Sequence, residues 1–553
     1  MKGFTLLQLM VFALFSVFSY SKNQPNFIFI LTDDQPYDYM GCVGNKLINT
    51  PNLDQLAKEG VLFTNAHVTS AICTPSRVSI LLSQFERKHG VNFNSGTSIS
   101  ENAWEESYPV LMREAGYYTG WIGKNHSPIA RGGYESGVME KSFDYWYGAH
   151  KHLKFYPKKI HKIFNGAKSD TQIEIIQEGV DDFLNPNERN LKGAIRFLDK
   201  RPEEKPFVLS ICFNLPHDAG TQDMKLKATD DDLYKTVYRD IDIPLPDNYI
   251  AKNDIETPKL PKDLFKVENR QLSYDYVNTQ KKVKERLVRV YQAMTGIDRL
   301  VGSLRARLKK LNLDKNTVLV FTSDHGLFMG QYGIGGKALC YEVTTHVPLI
   351  IFDPNASKES KGRKTDALVQ TIDIAPMMLS MAGIETPDSY QGEDISNLVR
   401  NKRADKVRDF IYTENLWSNS FGNPRCEAIQ NKEWKYIRYY RNNNISSLES
   451  VKIANLVGAP RVNMLYNIYD PGIAVYRSYI EAPLQGETPV YEELYNLQKD
   501  SKESVNLIHE KKYSKKLNEM RAAWSKAIKN ARGNEVPKVE RYTTDSKREE
   551  MDE

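Results

Sequence analysis

The pentapeptide at 73–77 reads Cys-Thr-Pro-Ser-Arg and places a thiol four residues before a fixed positive charge. Its spacing is neither that of a metal-ligand pair nor that of a disulfide framework. The apolar residues at 78–82 predict a buried helix, with Pro75 in its first turn and Thr74 as its N-cap. The side chain of Cys73 would then lie at a helix N-terminus, where free N–H groups and Arg77 favour a bound anion. A buried structural cysteine is the alternative interpretation, and it is the commoner one for an arbitrary cysteine.

Ionisable side chains follow four apolar segments at the points where these segments end. The segments at 24–32, 118–123, 207–213 and 317–322 have the composition of strands buried on both faces. Taken singly, each residue after them has an ordinary explanation as a turn or cap residue. Together they offer carboxylate ligands for a divalent cation beside Lys and His side chains that bind anions. These residues are Asp33, Asp34, Lys124, His126, His217, Asp324 and His325.

Helical segments alternate with these predicted strands. Residues 50–60 have a proline start and a glycine stop, 110–115 precede a glycine, and 282–311 form a long, basic and amphipathic segment. The alternation predicts an α/β domain with a large, mostly parallel sheet flanked by helices. Because ligands bind beyond the carboxyl ends of strands in such sheets, the four strand ends should line one rim.

The composition is that of an ordinary globular protein, with 553 residues, 41% hydrophobic residues and a net charge of +5. This charge gives no argument for nucleic-acid binding. Residues 1–21 combine Lys2 with an apolar run at 4–18, which is typical of a signal peptide and too short to favour a membrane span. We therefore expect an exported protein, periplasmic or secreted, without stable membrane insertion. Five scattered cysteines exclude a disulfide scaffold but leave room for one bridge that does not involve Cys73.

In combination, the motifs resemble those of the type I, formylglycine-dependent sulfatases of the alkaline phosphatase superfamily, over nearly the whole mature chain. The Asp-His pair at 324–325 is closer to iduronate sulfatase and its relatives, and the chain also resembles bacterial polysaccharide sulfatases. One departure is the stretch 82–91, which lacks the glycine that usually follows the family's signature helix. The resemblance rests on PNFIFILTDDQ, TPNLDQLAKEGVLFTNAHVTSAICTPSR, GKNH, FTSDHG, GGKALCYEVTTHVPLIIF and ELYNLQKDSKESVNL.

The resemblance implies a modified nucleophile and one bound cation. Cys73 would be oxidised to formylglycine (3-oxoalanine) by a formylglycine-generating maturation enzyme. Asp33, Asp34, Asp324 and His325 would hold a divalent cation, preferably Ca²⁺ because most of the ligands are hard oxygen atoms. The cation would also contact the aldehyde hydrate at position 73.

The resemblance also implies roles for the surrounding cationic side chains. Arg77 would position the hydrate, and Lys124 and Lys337 would bind sulfate oxygens. His217 or Lys337 would protonate the leaving alcohol, and His126 would act as the base for sulfate elimination.

The predicted domain organisation places a signal peptide at 1–21 and a catalytic α/β domain at 22–398. A smaller α+β subdomain at 399–532 would carry an antiparallel sheet and a C-terminal helix at 517–532. Residues 533–553 are highly charged and are predicted to form a loose tail.

The expected substrate is a sulfated carbohydrate, namely a polysaccharide or its oligosaccharides. Aromatic and basic residues at 145–147, 150–162 and 436–441 suit sulfated sugars, although surface packing explains them equally well. Two alternatives remain open at this point. One is a phosphodiester or phosphonate monoester hydrolase of the same superfamily, and the other is a non-catalytic protein that binds sulfated glycans and keeps an unmodified cysteine.

Overall fold

The structure is a computed structural model that describes residues 24–92, 97–130, 133–150, 193–217, 219, 232–265, 274–416, 423–441, 481–534 and 539–541. The strands are β1 (Asn26–Asp33), β2 (Val61–Phe63), β3 (Ala66–His67), β4 (Thr97–Ile99), β5 (Tyr118–Asn125), β6 (Tyr145–His150), β7 (Phe207–Pro216), β8 (Thr317–Ser323), β9 (Phe328–Met329), β10 (Gly335–Gly336), β11 (Leu349–Phe352), β12 (Arg363–Thr365), β13 (Val369–Gln370), β14 (Ile411–Asn415), β15 (Arg425–Gln430), β16 (Trp434–Tyr440), β17 (Tyr491–Asn496) and β18 (Val539–Arg541). The helices are α1 (Pro51–Glu59), α2 (Cys73–Leu82), α3 (Glu86–His89), α4 (Glu101–Glu105), α5 (Tyr108–Glu114), α6 (Val138–Lys141), α7 (Ala194–Lys200), α8 (Asp232–Thr236), α9 (Gln280–Lys310), α10 (Glu342–Thr345), α11 (Ile374–Ala382), α12 (Ser396–Arg400) and α13 (Ser514–Arg532).

An eight-stranded sheet forms the centre of the larger part of the molecule. Its strand order is β12-β2-β11-β8-β1-β7-β5-β6. The five strands from β8 to β6 run parallel to one another, whereas β11 is antiparallel to both of its neighbours. The four strands expected from the sequence are the adjacent strands β8, β1, β7 and β5. The predicted α/β fold with a mostly parallel mixed sheet is therefore confirmed.

Two helical layers cover this sheet, because successive side chains of a buried strand point to opposite faces. Ile28 and Ile30 of β1 pack in the layer that contains α1, α7 and α9. Phe27 and Phe29 pack in the opposite layer, which contains α2, α5 and α11. The helix that begins at Cys73 is thus held against the sheet by its own apolar residues.

A four-stranded antiparallel sheet, β14-β15-β16-β17, forms the C-terminal part, and α13 packs against it. This confirms the predicted antiparallel subdomain with its C-terminal helix. In two of the three stretches considered as sugar contacts, those at 145–147 and 436–441, the tyrosine side chains pack in the interior instead. Tyr145 and Tyr147 of β6 are buried, and so are Tyr436, Tyr439 and Tyr440 of β16. The third stretch lies, apart from residue 150, outside the described residues.

The structure differs from the sequence predictions in two local features. α2 begins at Cys73 with Ile72 as its N-cap, so the prediction of Thr74 as N-cap was wrong. The helix can start this early because a proline in the first turn gives up no intrahelical hydrogen bond. In the segment predicted to be a loose tail, Val539–Arg541 pair antiparallel with β4.

α2 ends at Leu82, and Ser83 is its C-cap. Its backbone adopts the left-handed conformation, with φ 52° and ψ 40°. The Ser83 hydroxyl donates to the carbonyl of Ile372 at 2.7 Å and accepts from the amide of Gly392 at 3.1 Å. These two bonds offset the cost of a left-handed residue that is not glycine.

None of the helices in the described part of the chain is long and apolar enough to span a membrane. The predicted signal peptide lies outside the described residues. The predicted domain boundary at 398 falls inside α12, and the division into domains stays a prediction.

Candidate active site

The carboxyl ends of four parallel strands bring most of the predicted side chains together. Asp33 is the last residue of β1, and Asp34 follows it with a left-handed φ of 61°. In a continued strand the two carboxylates would point to opposite faces. The left-handed turn breaks this alternation, and Asp is one of the residues that tolerate it best. Both carboxylates therefore reach the same cluster.

Cys73 lies at the centre of this cluster and is completely buried. Its Sγ atom is 3.0 Å from Nζ of Lys337, 3.3 Å from Nε2 of His325 and 3.8 Å from Oδ1 of Asp33. Lys337 also donates to Oδ1 of Asp34 at 2.7 Å. The Cys73 sulfur therefore lies among an amine, an imidazole and two carboxylates.

Arg77, one turn further along α2, joins two of the strand ends. Its Nε donates to Oδ2 of Asp324 at 2.8 Å, and its Nη2 donates to Oδ2 of Asp33 at 2.9 Å. Lys124 also donates to Oδ2 of Asp33. The Oδ1 atoms of Asp33 and Asp324 lie toward the cluster around Cys73. Oδ1 of Asp33 is near the Cys73 sulfur, and Oδ1 of Asp324 is 3.5 Å from Nε2 of His325.

The electrostatics of the site keep the two neighbouring carboxylates ionised despite their burial. Burial alone would raise the pKa of Asp33, but Lys124 and Arg77 outweigh it and hold that pKa well below its ordinary value. Burial likewise opposes ionisation of Asp34, and Lys337, His217 and His325 lower its pKa. The positive charges of Arg77, Lys124 and Lys337 thus lie in direct contact with the carboxylates of Asp33 and Asp34.

The donor set fits a divalent cation. Single ligand atoms of Asp33, Asp34, Cys73 and His325 all lie within 4.8 Å of one another. Asp324 is not part of this closest group, although its Oδ1 atom borders it. Two of these four atoms are carboxylate oxygens, and the other two are the Cys73 sulfur and an imidazole nitrogen. With Asp324 counted in place of the thiol, three carboxylates and one imidazole would favour a hard ion such as Ca²⁺.

The two remaining histidines lie at the ends of neighbouring strands. His217 follows β7, and its Nε2 atom is 3.8 Å from Oδ2 of Asp34. His126 directly follows β5, is buried, and stacks on the ring of Tyr134 with 6.2 Å between the ring centroids. The structure thus joins His217 to the cluster by contact with Asp34 and places His126 next to Asn125 on the same rim.

Two further polar residues belong to this region and were not assigned a role from the sequence. The Ser76 hydroxyl donates to the carbonyl of Asp324 at 2.5 Å and fixes α2 to the end of β8. Asn214 is 4% exposed, and neither polar atom of its side chain has a hydrogen-bond partner among the described residues. The sequence signal for Asn214 was its position directly after the apolar segment 207–213, because the residues after the other strands were predicted to belong to the site.

A cavity of about 820 Å³ is lined in part by Pro36, two residues after Asp34, and by Leu327, two residues after His325. Its walls include Tyr37, Tyr291, Tyr332, Glu342 and His346, and none of the predicted site residues lines it. The chemistry-bearing groups at the strand ends, rather than this cavity, define the candidate active site.

Comparisons with protein families and known sequences agree with this geometry. A family model described as Sulfatase matches residues 25–384, and one described as N-sulphoglucosamine sulphohydrolase, C-terminal, matches residues 330–462. An arylsulfatase of Clostridium perfringens is 29% identical over 443 residues, which cover 75% of this chain and 85% of the relative. An N-acetylglucosamine-6-O-sulfatase of Bacteroides thetaiotaomicron is 28% identical over 461 residues, which cover 76% of this chain and 79% of the relative.

Solved structures share the fold across almost the entire chain. A protein in complex with its substrate, D-glucosamine-2-N,6-O-disulfate, has a TM-score of 0.66 and 22% identity and covers 93% of this chain and 99% of its own. The phosphonate monoester hydrolase of Agrobacterium radiobacter has a TM-score of 0.63 and 17% identity, with 90% and 96% covered. The fold is thus common to the two proteins. Since the first family model spans 360 of the 553 residues (25 to 384 inclusive), the chain belongs to the sulfatase family of sulfuric ester hydrolases.

Proposed function

We propose that this protein removes sulfate from a sulfated carbohydrate, a polysaccharide or its oligosaccharides, outside the cytoplasm. The observation that carries the proposal is the position of Cys73, buried at a helix start between Lys337, His325 and Asp33. A sugar substrate is further supported by the N-acetylglucosamine-6-O-sulfatase among the relatives and by the amino-sugar disulfate bound in a structure of the same fold.

In this proposal residue 73 acts as formylglycine rather than as a thiol. One hydroxyl of the hydrated aldehyde can attack sulfur and displace the alcohol, which breaks the ester bond. Loss of the proton from the second hydroxyl can then expel sulfate and restore the aldehyde. Asp33, Asp34, Asp324 and His325 would hold a divalent cation, which would supply positive charge to stabilise the sulfate group. The charge of the ion would add to that of Lys124, Lys337 and Arg77, and together these charges would attract an anionic ester.

The cationic side chains around residue 73 bind the substrate and move protons. Lys337 contacts the Cys73 sulfur, and Lys124 lies on the other side of Asp33, so both can donate charged hydrogen bonds to sulfate oxygens. Arg77 fixes Asp33 and Asp324 and orients the start of α2. His217 or Lys337 protonates the leaving alcohol, and His126 serves as the base when sulfate is eliminated.

The test compares two cysteine variants. Cys73→Ala should abolish sulfate release from sulfated glycans while leaving the melting temperature close to that of the wild type. Cys42→Ala, which changes a half-buried cysteine in a different part of the chain, should keep activity. Mass spectrometry of the wild-type peptide that contains residue 73 should show loss of sulfur and two hydrogens and gain of one oxygen. Full activity of Cys73→Ala would refute the proposal.

The same assay separates the two rival functions. Faster turnover of aryl phosphates or phosphonates than of any sulfate ester would favour the phosphoester alternative. An unmodified Cys73, together with glycan binding and no turnover, would favour the non-catalytic alternative.

A further inference from the structure

We propose that Cys340 and Cys426 form a disulfide in the exported protein and thereby tie the segment that carries Lys337 to the C-terminal sheet. Their Sγ atoms are 3.5 Å apart, and both side chains are completely buried. A shift of about 1.5 Å would bring the two sulfurs to bonding distance. The inference rests on the proposed export, since disulfides persist in oxidising compartments, but it does not depend on the proposed substrate.

The two cysteines belong to distant parts of the sequence. Cys340 lies three residues after Lys337, and its Sγ atom is 3.9 Å from the carbonyl of Thr413 in β14. Cys426 lies in β15, directly opposite Asn415 of β14. They are separated by 86 positions, and a cross-link over a loop of this length strongly restricts the unfolded chain.

Asn415 connects the cysteine pair to the approach of the catalytic helix. Its Nδ2 atom is 3.7 Å from the sulfur of Cys340 and 4.0 Å from that of Cys426. Its Oδ1 atom accepts from the Ser70 hydroxyl at 3.3 Å and from the Ala71 amide at 3.2 Å. A bridge between the sulfurs would therefore stiffen the support of the turn that leads into Cys73.

The segment that carries Lys337 and Cys340 is also held to the turn before Cys73. The amide of Ala338 donates to the carbonyl of Ala71 at 2.8 Å, and the neighbouring Lys337 reaches Cys73 and Asp34. The disulfide thus acts as a positioning link. It fixes the backbone that presents Lys337 relative to the backbone that presents residue 73.

The bond forms by thiol–disulfide exchange. The two thiols give up two protons and one electron pair, and the disulfide of a protein disulfide donor accepts the pair and is reduced to a dithiol. Burial raises the pKa of Cys340 well above its ordinary value, so the exchange takes place during folding, before the pair is enclosed. Pairing these two residues leaves Cys73 for its own oxidation.

The direct test is alkylation of the denatured full chain, with and without prior reduction, on protein purified from an oxidising compartment. Without reductant, Cys42 and Cys212 should be alkylated, and Cys340 and Cys426 should be recovered as one cross-linked peptide pair that lacks two hydrogens. After reduction, both should be alkylated. Recovery of Cys340 and Cys426 as alkylated thiols without reductant would overturn the proposal.

A second measurement uses a double variant, Cys340→Ala with Cys426→Ala, and Cys42→Ala as its matched control. Reductant should lower the melting temperature of the wild type and of the control by on the order of 5 °C. The double variant should already melt lower and should not respond to reductant. An equal response of all three proteins would overturn the link, and if the double variant fails to fold, peptide mapping of the wild type still decides.

Sulfate release is measured on the same wild-type preparation. A bridged protein that turns over no sulfate ester would contradict the proposed function and leave the disulfide standing. An active protein with two free thiols would contradict only the disulfide.

Discussion

At the scale of single residues, Arg77 determines how the carboxylates of the site are divided. It occupies Oδ2 of both Asp33 and Asp324, so that Oδ1 of each carboxylate remains for the cluster around Cys73. The planar fork of arginine suits this double contact, and lysine could not replace it. The residue that orients these two carboxylates is therefore part of the same helix that begins at Cys73.

Asp324→Ala should lose both the bound cation and activity. The change removes one ligand and leaves Arg77 without one of its two partners, so the remaining carboxylates share a weakened site. We expect kcat/KM to fall by roughly 10²- to 10³-fold or more. Metal analysis of the purified variant, together with sulfate release, checks the prediction.

The matched control is Asp373→Ala, which removes a buried carboxylate that pairs with Arg408 through two contacts of 2.7 Å. It should lose stability but keep the metal content of the wild type. Unchanged metal stoichiometry and affinity in Asp324→Ala would place the cation elsewhere.

Glu86 makes stability depend on pH. Burial, with a contribution from Glu414, raises the pKa of Glu86 from 4.5 to about 8. The folded state therefore holds a proton that the unfolded state releases above its own, lower pKa. This contribution to stability is fully present below about pH 4.5 and is lost as the pH rises through about 8.

Glu86→Gln keeps a neutral side chain beside Ser70 and Asn92 and removes this titration. The free energy of unfolding of the variant should fall less between pH 5 and 8 than that of the wild type, with the largest relative gain, on the order of a few kcal/mol, at the alkaline end. Urea denaturation at several pH values measures the difference. Parallel pH profiles of the two proteins would contradict the assignment.

At the scale of elements, the short helix α3 anchors the C-terminal sheet to the large domain. The backbone amide and Nε of Arg87 donate to Glu414 of β14 at 2.8 and 3.0 Å, and Nη2 donates to Glu427 of β15. Glu427 also accepts from Nε1 of Trp524 in α13 at 2.8 Å. One fully buried guanidinium thus joins four elements, and α3 follows α2 after only three residues.

Arg87→Ala should destabilise the protein by about 3–5 kcal/mol, because it leaves two buried carboxylates without their cation. Arg113→Ala provides the comparison, since Arg113 forms an exposed pair with Asp144 that should contribute less than about 1 kcal/mol. Denaturant titration of both variants checks the difference. Similar losses in the two variants would show that burial of the Arg87 pairs is not the cause.

At the scale of the whole molecule, the sequence predicted the features that follow local residue patterns. It missed the contacts between residues that are far apart in the chain. The four buried strands, the long helix α9 and the ligand residues after the strand ends follow local rules of apolar pattern and residue type. The meeting of Arg87 with Glu414 and Glu427, by contrast, joins residues more than 300 positions apart. The same is true of Asn415, which contacts Ser70 and Ala71 from 345 and 344 positions away.

Local signals also failed where the backbone conformation overrides residue preference. Thr74 is a favourable N-cap by type, but α2 already begins at Cys73. The left-handed turn at Asp34 could not be read from the sequence either, although it decides where both carboxylates point.

A chain shortened to residues 24–400 should not yield a folded catalytic domain. The truncation removes the C-terminal sheet, so Arg87 would lose its carboxylate partners Glu414 and Glu427. Ser70 and Ala71, which lie shortly before Cys73, would lose their contacts with Asn415. Soluble yield, circular dichroism and sulfate release, compared with the full chain expressed in parallel, test the expectation. A soluble truncated protein with wild-type activity would show that the C-terminal sheet is dispensable.

The pairing of β18 with β4 has a practical consequence for protein production. The amide of Ile99 in β4 donates to the carbonyl of Pro128, and the amide of Ala130 donates to the carbonyl of Ile99, so β4 leans on the loop that follows His126. Val539–Arg541 add a strand to this edge. An affinity tag fused in place of residues 539–553 would remove that strand. A fusion partner is better attached after Glu553, where 12 residues separate it from Arg541.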